Sequence, residues 1–134
     1  MAAIIVHCLS DCVAALTAAS RTGRAVSLLS PPDGGASLGI GYFTAMLAEA
    51  HQLVPGTGAD AVLDCGDSPG LALSALQAGI AVVRLAAAGE TLRRLDDIAG
   101  QLGARVERHW PVPVLDLADR KDPLAAALAY LSGS

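Results

Sequence analysis

The chain is poor in charged residues, in basic clusters and in aromatic side chains, and these shortages exclude several classes of protein. Only 16% of its 134 residues are charged and 53% are hydrophobic, which excludes a disordered chain. The nine Lys and Arg residues form no cluster and the formal net charge is −4. A nucleic-acid-binding surface needs grouped positive charge, so we expect no nucleic-acid partner.

Long apolar runs and paired cysteines are also missing. No run approaches the ~18 residues of a membrane-spanning helix, so we expect no membrane partner. The three cysteines, Cys8, Cys12 and Cys65, fit neither a zinc motif nor a disulfide framework. We therefore expect no bound metal, free thiols and a cytoplasmic location, while the cofactor, if any, stays unknown.

The sequence does contain a regular alternation of short apolar runs and helix-like segments. Strands are predicted near residues 3–8, 24–29, 60–65, 80–85 and 104–108. Strands and helices that alternate at short spacing form parallel sheets with right-handed crossovers, so we predict a single α/β domain over residues 1–134. The expected architecture is an open, doubly wound, five-stranded sheet with the flavodoxin-like order 2-1-3-4-5. A Rossmann-like order and a segment with barrel-like curvature are the alternatives.

Three local patterns make this outline more specific. Ser68-Pro69 and Asp122-Pro123 each place a capping side chain before a proline, which predicts a helix start. The alternating charges of ARVERHW predict that the fifth strand lies at an edge of the sheet. The following stretch, PVPVLDLADRK, is predicted to be irregular or extended.

Polar residues collect in the loops that follow the first three predicted strands, at the edge where open α/β sheets bind ligands. The second of these loops contains Gly34 and Gly35, and the third contains Gly66, Asp67 and Ser68. Glycines ahead of a helix let backbone N–H groups approach an anion. The spacing matches no nucleotide-binding fingerprint, and an ordinary turn or helix cap is the alternative at each loop.

An alignment of the chain with itself singles out His7 and Asp64, because IVHCLS over residues 5–10 aligns with VLDCGD over residues 62–67. If the first and third strands are neighbours, as the expected order requires, the two side chains lie close together on one face. We therefore expect His7 to act as a general base and Asp64 to orient it. The alternative is a purely structural polar pair.

Two functions of different classes are compatible with these patterns. The first is a small-molecule or anion-binding domain with its site at the carboxyl edge of the sheet, as in a lyase- or isomerase-type enzyme with catalytic His7 and Asp64. Its expected ligand-binding residues are Ser10, Asp11, Gly34, Gly35, Gly66, Asp67 and Ser68. The second is a non-catalytic assembly or regulatory subunit acting through protein–protein contacts. A homo-oligomer is compatible with either.

Overall fold

Six short strands alternate with helices in the computed structural model of the protein, which describes residues 1–133. The strands are β1 (Ala2–Ile5), β2 (Val26–Leu29), β3 (Ala59–Asp64), β4 (Val82–Arg84), β5 (Arg105–Glu107) and β6 (Leu115–Asp116). The helices are α1 (Leu9–Thr22), α2 (Gly34–Ser37), α3 (Ile40–Leu53), α4 (Pro69–Gln77), α5 (Gly89–Gln101) and α6 (Pro123–Ser132). The strands form one parallel sheet, which confirms the predicted α/β class.

Two helices begin where the sequence indicates. The Ser68 hydroxyl accepts a hydrogen bond from the N–H of Leu71 at 3.3 Å, with proline next in the chain. The Asp122 carboxylate accepts one from the N–H of Ala125 at 3.0 Å, again ahead of a proline. Each cap satisfies a backbone donor that the first turn of a helix leaves free. Both predicted helix starts are confirmed.

The order of the strands differs from the expected one. The sheet runs β5-β4-β3-β2-β1-β6, so each strand from β2 to β5 lies beside the strand that precedes it. Since β2 separates β1 from β3, neither the order 2-1-3-4-5 nor a Rossmann-like reversal describes this sheet. The fifth strand lies at an edge as predicted, but a sixth strand, β6, occupies the stretch predicted to be irregular and pairs with β1.

The long helices pack on one face of the sheet. Buried side chains of α1, α3, α4, α5 and α6 belong to a single cluster. The strands and the residues that directly follow them contribute alternate side chains to this cluster, including Ile4, Val6, Leu28, Leu63, Val83 and Leu85. Right-handed crossovers between consecutive neighbours put every helix on the same side. The sheet is therefore wound in one direction, like a segment of a β/α barrel, and the expected double winding is corrected.

The opposite face of the sheet, which we call the Trp110 face, is covered by an extended segment of chain. Its strand residues form a second cluster, made of Ala3, Ile5, Leu29, Val62 and Val82. Trp110 and Val114 pack against this cluster. Both belong to the segment 108–114, which crosses from β5 at one edge of the sheet to β6 beside β1. The segment thus buries apolar surface that the helices leave uncovered.

Replacing Trp110 by alanine should lower the free energy of unfolding by about 2 kcal/mol, because the indole is partly buried and a fully buried tryptophan costs about 3–5 kcal/mol. The matched control is Val112→Ala in the same segment. Val112 is 90% exposed, and its truncation should change stability by less than about 0.5 kcal/mol. Urea unfolding followed by circular dichroism measures both variants. Equal effects would contradict the role of Trp110 as a cover for the sheet.

Candidate functional site

His7 and Asp64 both lie at the carboxyl edge of the sheet, but they do not meet. Their strands are separated by β2, which places the two backbones about 10 Å apart at the usual spacing of ~4.8 Å per strand. The predicted pairing required neighbouring strands and is wrong for that reason. Each side chain has a different partner: Asp116 for His7 and Arg84 for Asp64.

The Asp64 carboxylate is a structural junction between two loops and the strand β4. It accepts hydrogen bonds from the N–H of Asp33 at 2.6 Å, the N–H of Gly66 at 3.3 Å and the Arg84 guanidinium at 3.2 Å. The side chain is only 4% exposed, so these donors compensate for the burial of its charge. Its own N–H donates to the hydroxyl of buried Ser30 at 2.9 Å. Asp64 therefore ties the loops after β2 and β3 to β4.

The glycines beside this junction allow close packing. Gly34 and Gly35 are buried. A Cβ atom on Gly34 would lie 2.5 Å from the Ser30 side chain, and one on Gly35 would lie 3.0 Å from a carbonyl oxygen of β3. Gly66 has a φ of +58°, and a Cβ atom there would overlap the Asp33 carboxylate. Packing alone accounts for glycine at these positions, and ligand contact there stays a prediction.

A pocket of about 520 Å³ opens at the carboxyl ends of β1 and β6, and we call it the β1–β6 pocket. His7, Cys8, Ser10 and Asp11 line one side, and residues 117–121 with Pro123 line the other. Three of the predicted site residues, His7, Ser10 and Asp11, are thus brought together. The predicted residues Asp64, Gly34, Gly35, Gly66, Asp67 and Ser68 lie outside this lining, the last two exposed at the start of α4.

His7 and Asp116 form a hydrogen-bonded dyad within this pocket region. The His7 Nε2 atom lies 2.6 Å from Oδ1 of Asp116. A carboxylate only accepts, so Nε2 carries the proton and Nδ1 is the basic nitrogen. Among residues 1–133 no group is hydrogen-bonded to Nδ1, and the His7 side chain is 34% exposed. His7 can therefore take a proton from a molecule in the pocket.

The surroundings of Asp116 keep it ionised. Partial burial acts to raise the pKa of this carboxyl group. The N–H of Ala118, the hydrogen bond and charge of His7, and the charge of Arg120 act in the opposite direction and prevail. The pKa of Asp116 is consequently lower than its ordinary value. At neutral pH an ionised aspartate therefore faces the His7 ring.

Two of the other charged side chains of the pocket form no ion pair within the described residues. Arg120 and Lys121 line it, and neither forms an ion pair within the described chain, although the Arg120 Nε–H donates to the carbonyl oxygen of Asp116 at 3.3 Å. The Asp11 carboxylate is engaged by the His7 N–H at 2.9 Å. Asp119 adds one negative group. Two cationic side chains thus stand beside the dyad without a direct ion pair among the described residues, although the charge of Arg120 acts on Asp116.

Sequence reasoning missed Asp116, Arg120 and Lys121 because their stretch was expected to lack regular structure. One signal was present. Leu115 and Leu117 flank Asp116, and this two-residue period of apolar side chains is typical of a strand with one buried face. The two prolines shortly before it, at 111 and 113, favoured the irregular interpretation.

The sequence matches no protein-family model and no curated protein. Within residues 1–133, no group of three or more His, Cys, Asp or Glu side chains is placed to hold a metal ion. No helix in the same range is long and apolar enough to cross a membrane. The expectations of a metal-free protein and of a cytoplasmic location stay predictions.

Replacing Asp64 by alanine should lower the free energy of unfolding by about 3 kcal/mol, since it leaves the Arg84 guanidinium and two partly buried backbone donors without their acceptor. The matched control is Asp60→Ala on the same strand. Asp60 is 40% exposed and 3.7 Å from Arg105, and the loss of such a pair should cost less than about 1 kcal/mol. Urea unfolding compares the two, and similar losses would contradict the structural role of Asp64.

Among the three thiols, only Cys8 should react quickly with a disulfide reagent such as DTNB at mildly alkaline pH. Cys12 is fully buried and Cys65 is 2% exposed. Burial, together with a neighbouring carboxylate, raises the pKa of Cys12 to about 12 and that of Cys65 to about 11. Native protein should therefore show one fast thiol and denatured protein three. Cys8→Ser should remove the fast phase, and a fast phase that persists would show that a second thiol is accessible.

Proposed function

We propose that the protein binds a small acidic organic molecule in the β1–β6 pocket and moves a proton on it, in a lyase- or isomerase-type reaction. The observation that carries this proposal is the His7–Asp116 dyad, whose 2.6 Å hydrogen bond leaves Nδ1 of His7 free beside an open pocket. A histidine oriented by a carboxylate is a common general base in enzymes. The catalytic pair proposed here replaces the pair of His7 with Asp64.

An acidic ligand is supported by two cationic side chains of the pocket lining, which also contains Asp11 and Asp119. Arg120 and Lys121 are cationic and without ion-pair partners among the described residues. The helix α1 begins at the same pocket, and its N-cap residue Cys8 provides no side-chain cap. The first N–H groups of that helix therefore add donors and partial positive charge on the same side. A carboxylate is the simplest group that satisfies all of these.

In the proposed reaction, Nδ1 of His7 removes a proton from a carbon atom of the ligand, and Asp116 stabilises the resulting imidazolium. Negative charge that develops on the ligand is stabilised by Arg120, Lys121 and the start of α1. The imidazolium then returns the proton, either to another carbon in an isomerisation or to a leaving group in an elimination. The proton is conserved in both cases, and no further reagent is needed.

The alternative function, an assembly subunit, would use the edge strand β5. This strand carries Arg105 and Glu107, which form an ion pair with 2.7 Å between nitrogen and oxygen. Arg105 also lies 3.7 Å from the Asp60 carboxylate. Charged side chains on an edge strand discourage pairing with a strand of another chain. This disfavours assembly through that edge, and assembly through other surfaces stays a prediction.

The proposal predicts that the protein exchanges carbon-bound hydrogen of small carboxylic acids with solvent. In D₂O, proton NMR follows the loss of C–H signal from pyruvate and acetoacetate. Wild-type protein should accelerate the loss for at least one of them, and His7→Gln should slow it by about 10²-fold or more. Asp116→Asn should also slow it, because the amide does not stabilise an imidazolium.

The matched control for this experiment is His51→Gln. His51 lies near the end of α3 and lines none of the pocket, so the variant should exchange at the wild-type rate. Exchange that survives His7→Gln unchanged would contradict the assignment of His7. Absence of acceleration for both acids would contradict proton transfer on short carboxylic acids of this kind.

A further inference from the structure

An apolar groove of about 410 Å³ lies beside the β1–β6 pocket. Leu9 and Val13 of α1, Leu53 at the end of α3 and Leu124 at the start of α6 line it. Ser10 and Pro123 line the groove and the β1–β6 pocket alike. The two depressions therefore meet, and a molecule bound in one can extend into the other.

The outer side of α1 is unusually apolar along this groove. Leu9, Val13 and Thr17 follow one another at intervals of four residues and are only partly buried. A helix at a protein surface normally carries polar side chains on such a face. From Leu9 to Thr17 this stripe is about 12 Å long at 1.5 Å per residue. Across the groove, Leu53 is 60% exposed.

The polarity of the combined surface changes sharply at Ser10. On one side lie the aliphatic side chains of the groove, and on the other lie the dyad, Arg120 and Lys121. Asp122 is the one acidic residue that lines the groove, and its carboxylate is engaged as the cap of α6. The polar side also contains Asp11 and Asp119, so an acidic end of a ligand fits where it can reach Arg120 and Lys121, and an apolar end fits the groove.

We propose that the ligand of the β1–β6 pocket is an amphipathic carboxylic acid, whose unbranched apolar chain lies along the groove while its carboxylate reaches Arg120 and Lys121. This inference rests on the proposed function and adds the class of ligand to it. A protein partner fits the groove less well. A stable protein interface buries about 800 Å² on each side, whereas this groove spans about two turns of α1 and two helix ends.

Chain length should therefore control affinity. A fully buried methylene group improves binding about fourfold, and a groove that covers one side of the chain should give about half of that free energy, or about twofold. Octanoate has four methylenes more than butanoate and should bind about 15-fold more tightly on that basis. Isothermal titration calorimetry and chemical-shift changes of backbone amides in α1 measure the two dissociation constants.

The deciding variant is Leu53→Gln, which removes apolar surface from the groove at an exposed position and leaves the dyad intact. It should reduce the preference for octanoate about two- to threefold, because it removes one of the four aliphatic side chains of the groove, and leave the affinity for butanoate unchanged. Leu102→Gln is the matched control, because Leu102 is 52% exposed at the end of α5 and does not line the groove. It should bind both acids as the wild type does.

The outcomes separate this inference from the function on which it rests. Equal affinities for butanoate and octanoate would overturn the amphipathic ligand and leave the small acidic ligand standing. A preference for octanoate that survives Leu53→Gln would also overturn it, since the chain would then lie elsewhere. Concentration-dependent dimerisation that Leu53→Gln abolishes would assign the groove to a second copy instead. Failure of both acids to bind would overturn this inference. If hydrogen exchange in D₂O were also unaffected by His7→Gln, the proposed function would be overturned too.

Discussion

Right-handed crossovers put each connecting helix on the same face of a parallel sheet when successive strands add to the same side. In this protein the strands β1 to β5 add in that way, so the helices cover one face and leave Ala3, Ile5 and Leu29 of the other to be buried by something else. The segment 108–114 crosses this face with Trp110 against the strands. Its path ends beside β1, and there it places Asp116 next to His7. The His7–Asp116 dyad therefore results from the path of the segment that covers the Trp110 face.

The polar side chains on the Trp110 face follow the same geometry. Arg84 is the residue of β4 that points to this face at the carboxyl edge, where it pairs with Asp64 at 3.2 Å and lies under the Trp110 ring at 5.9 Å from its centroid. The indole covers an arginine as well as apolar residues, and a cation over an aromatic face is favourable. Arg84 is therefore accommodated in an otherwise apolar strand by one carboxylate and one ring. These contacts link β3, β4 and the crossing segment.

Five of the six strands, the two capped helix starts and the α/β class could be predicted because they depend on local patterns. Ser68-Pro69 caps a helix in either winding, and the apolar run before Asp64 is buried in either winding. The order of the strands is set by which side of the sheet each crossover takes, and no residue pattern records that choice. The Trp110 face could not be recognised from the sequence either, because its strand residues are apolar and buried, like those of the helix-covered face. His7 could therefore be singled out from the sequence, but its partner could not.

The partner of His7 is Asp116 and not Asp64, and the two carboxylates differ in the chemistry that they allow. Asp64 is buried, and its oxygens accept hydrogen bonds from two backbone donors and a guanidinium. Its hydrogen-bonding capacity is therefore used within the fold and is not directed at a histidine. The side chain of Asp116 is 48% exposed and accepts from His7 and one backbone donor, Ala118. The nearby charge of Arg120 helps to keep this carboxylate ionised beside the imidazole. A carboxylate of this second kind remains free to face the imidazolium that forms when His7 takes a proton in the proposed reaction.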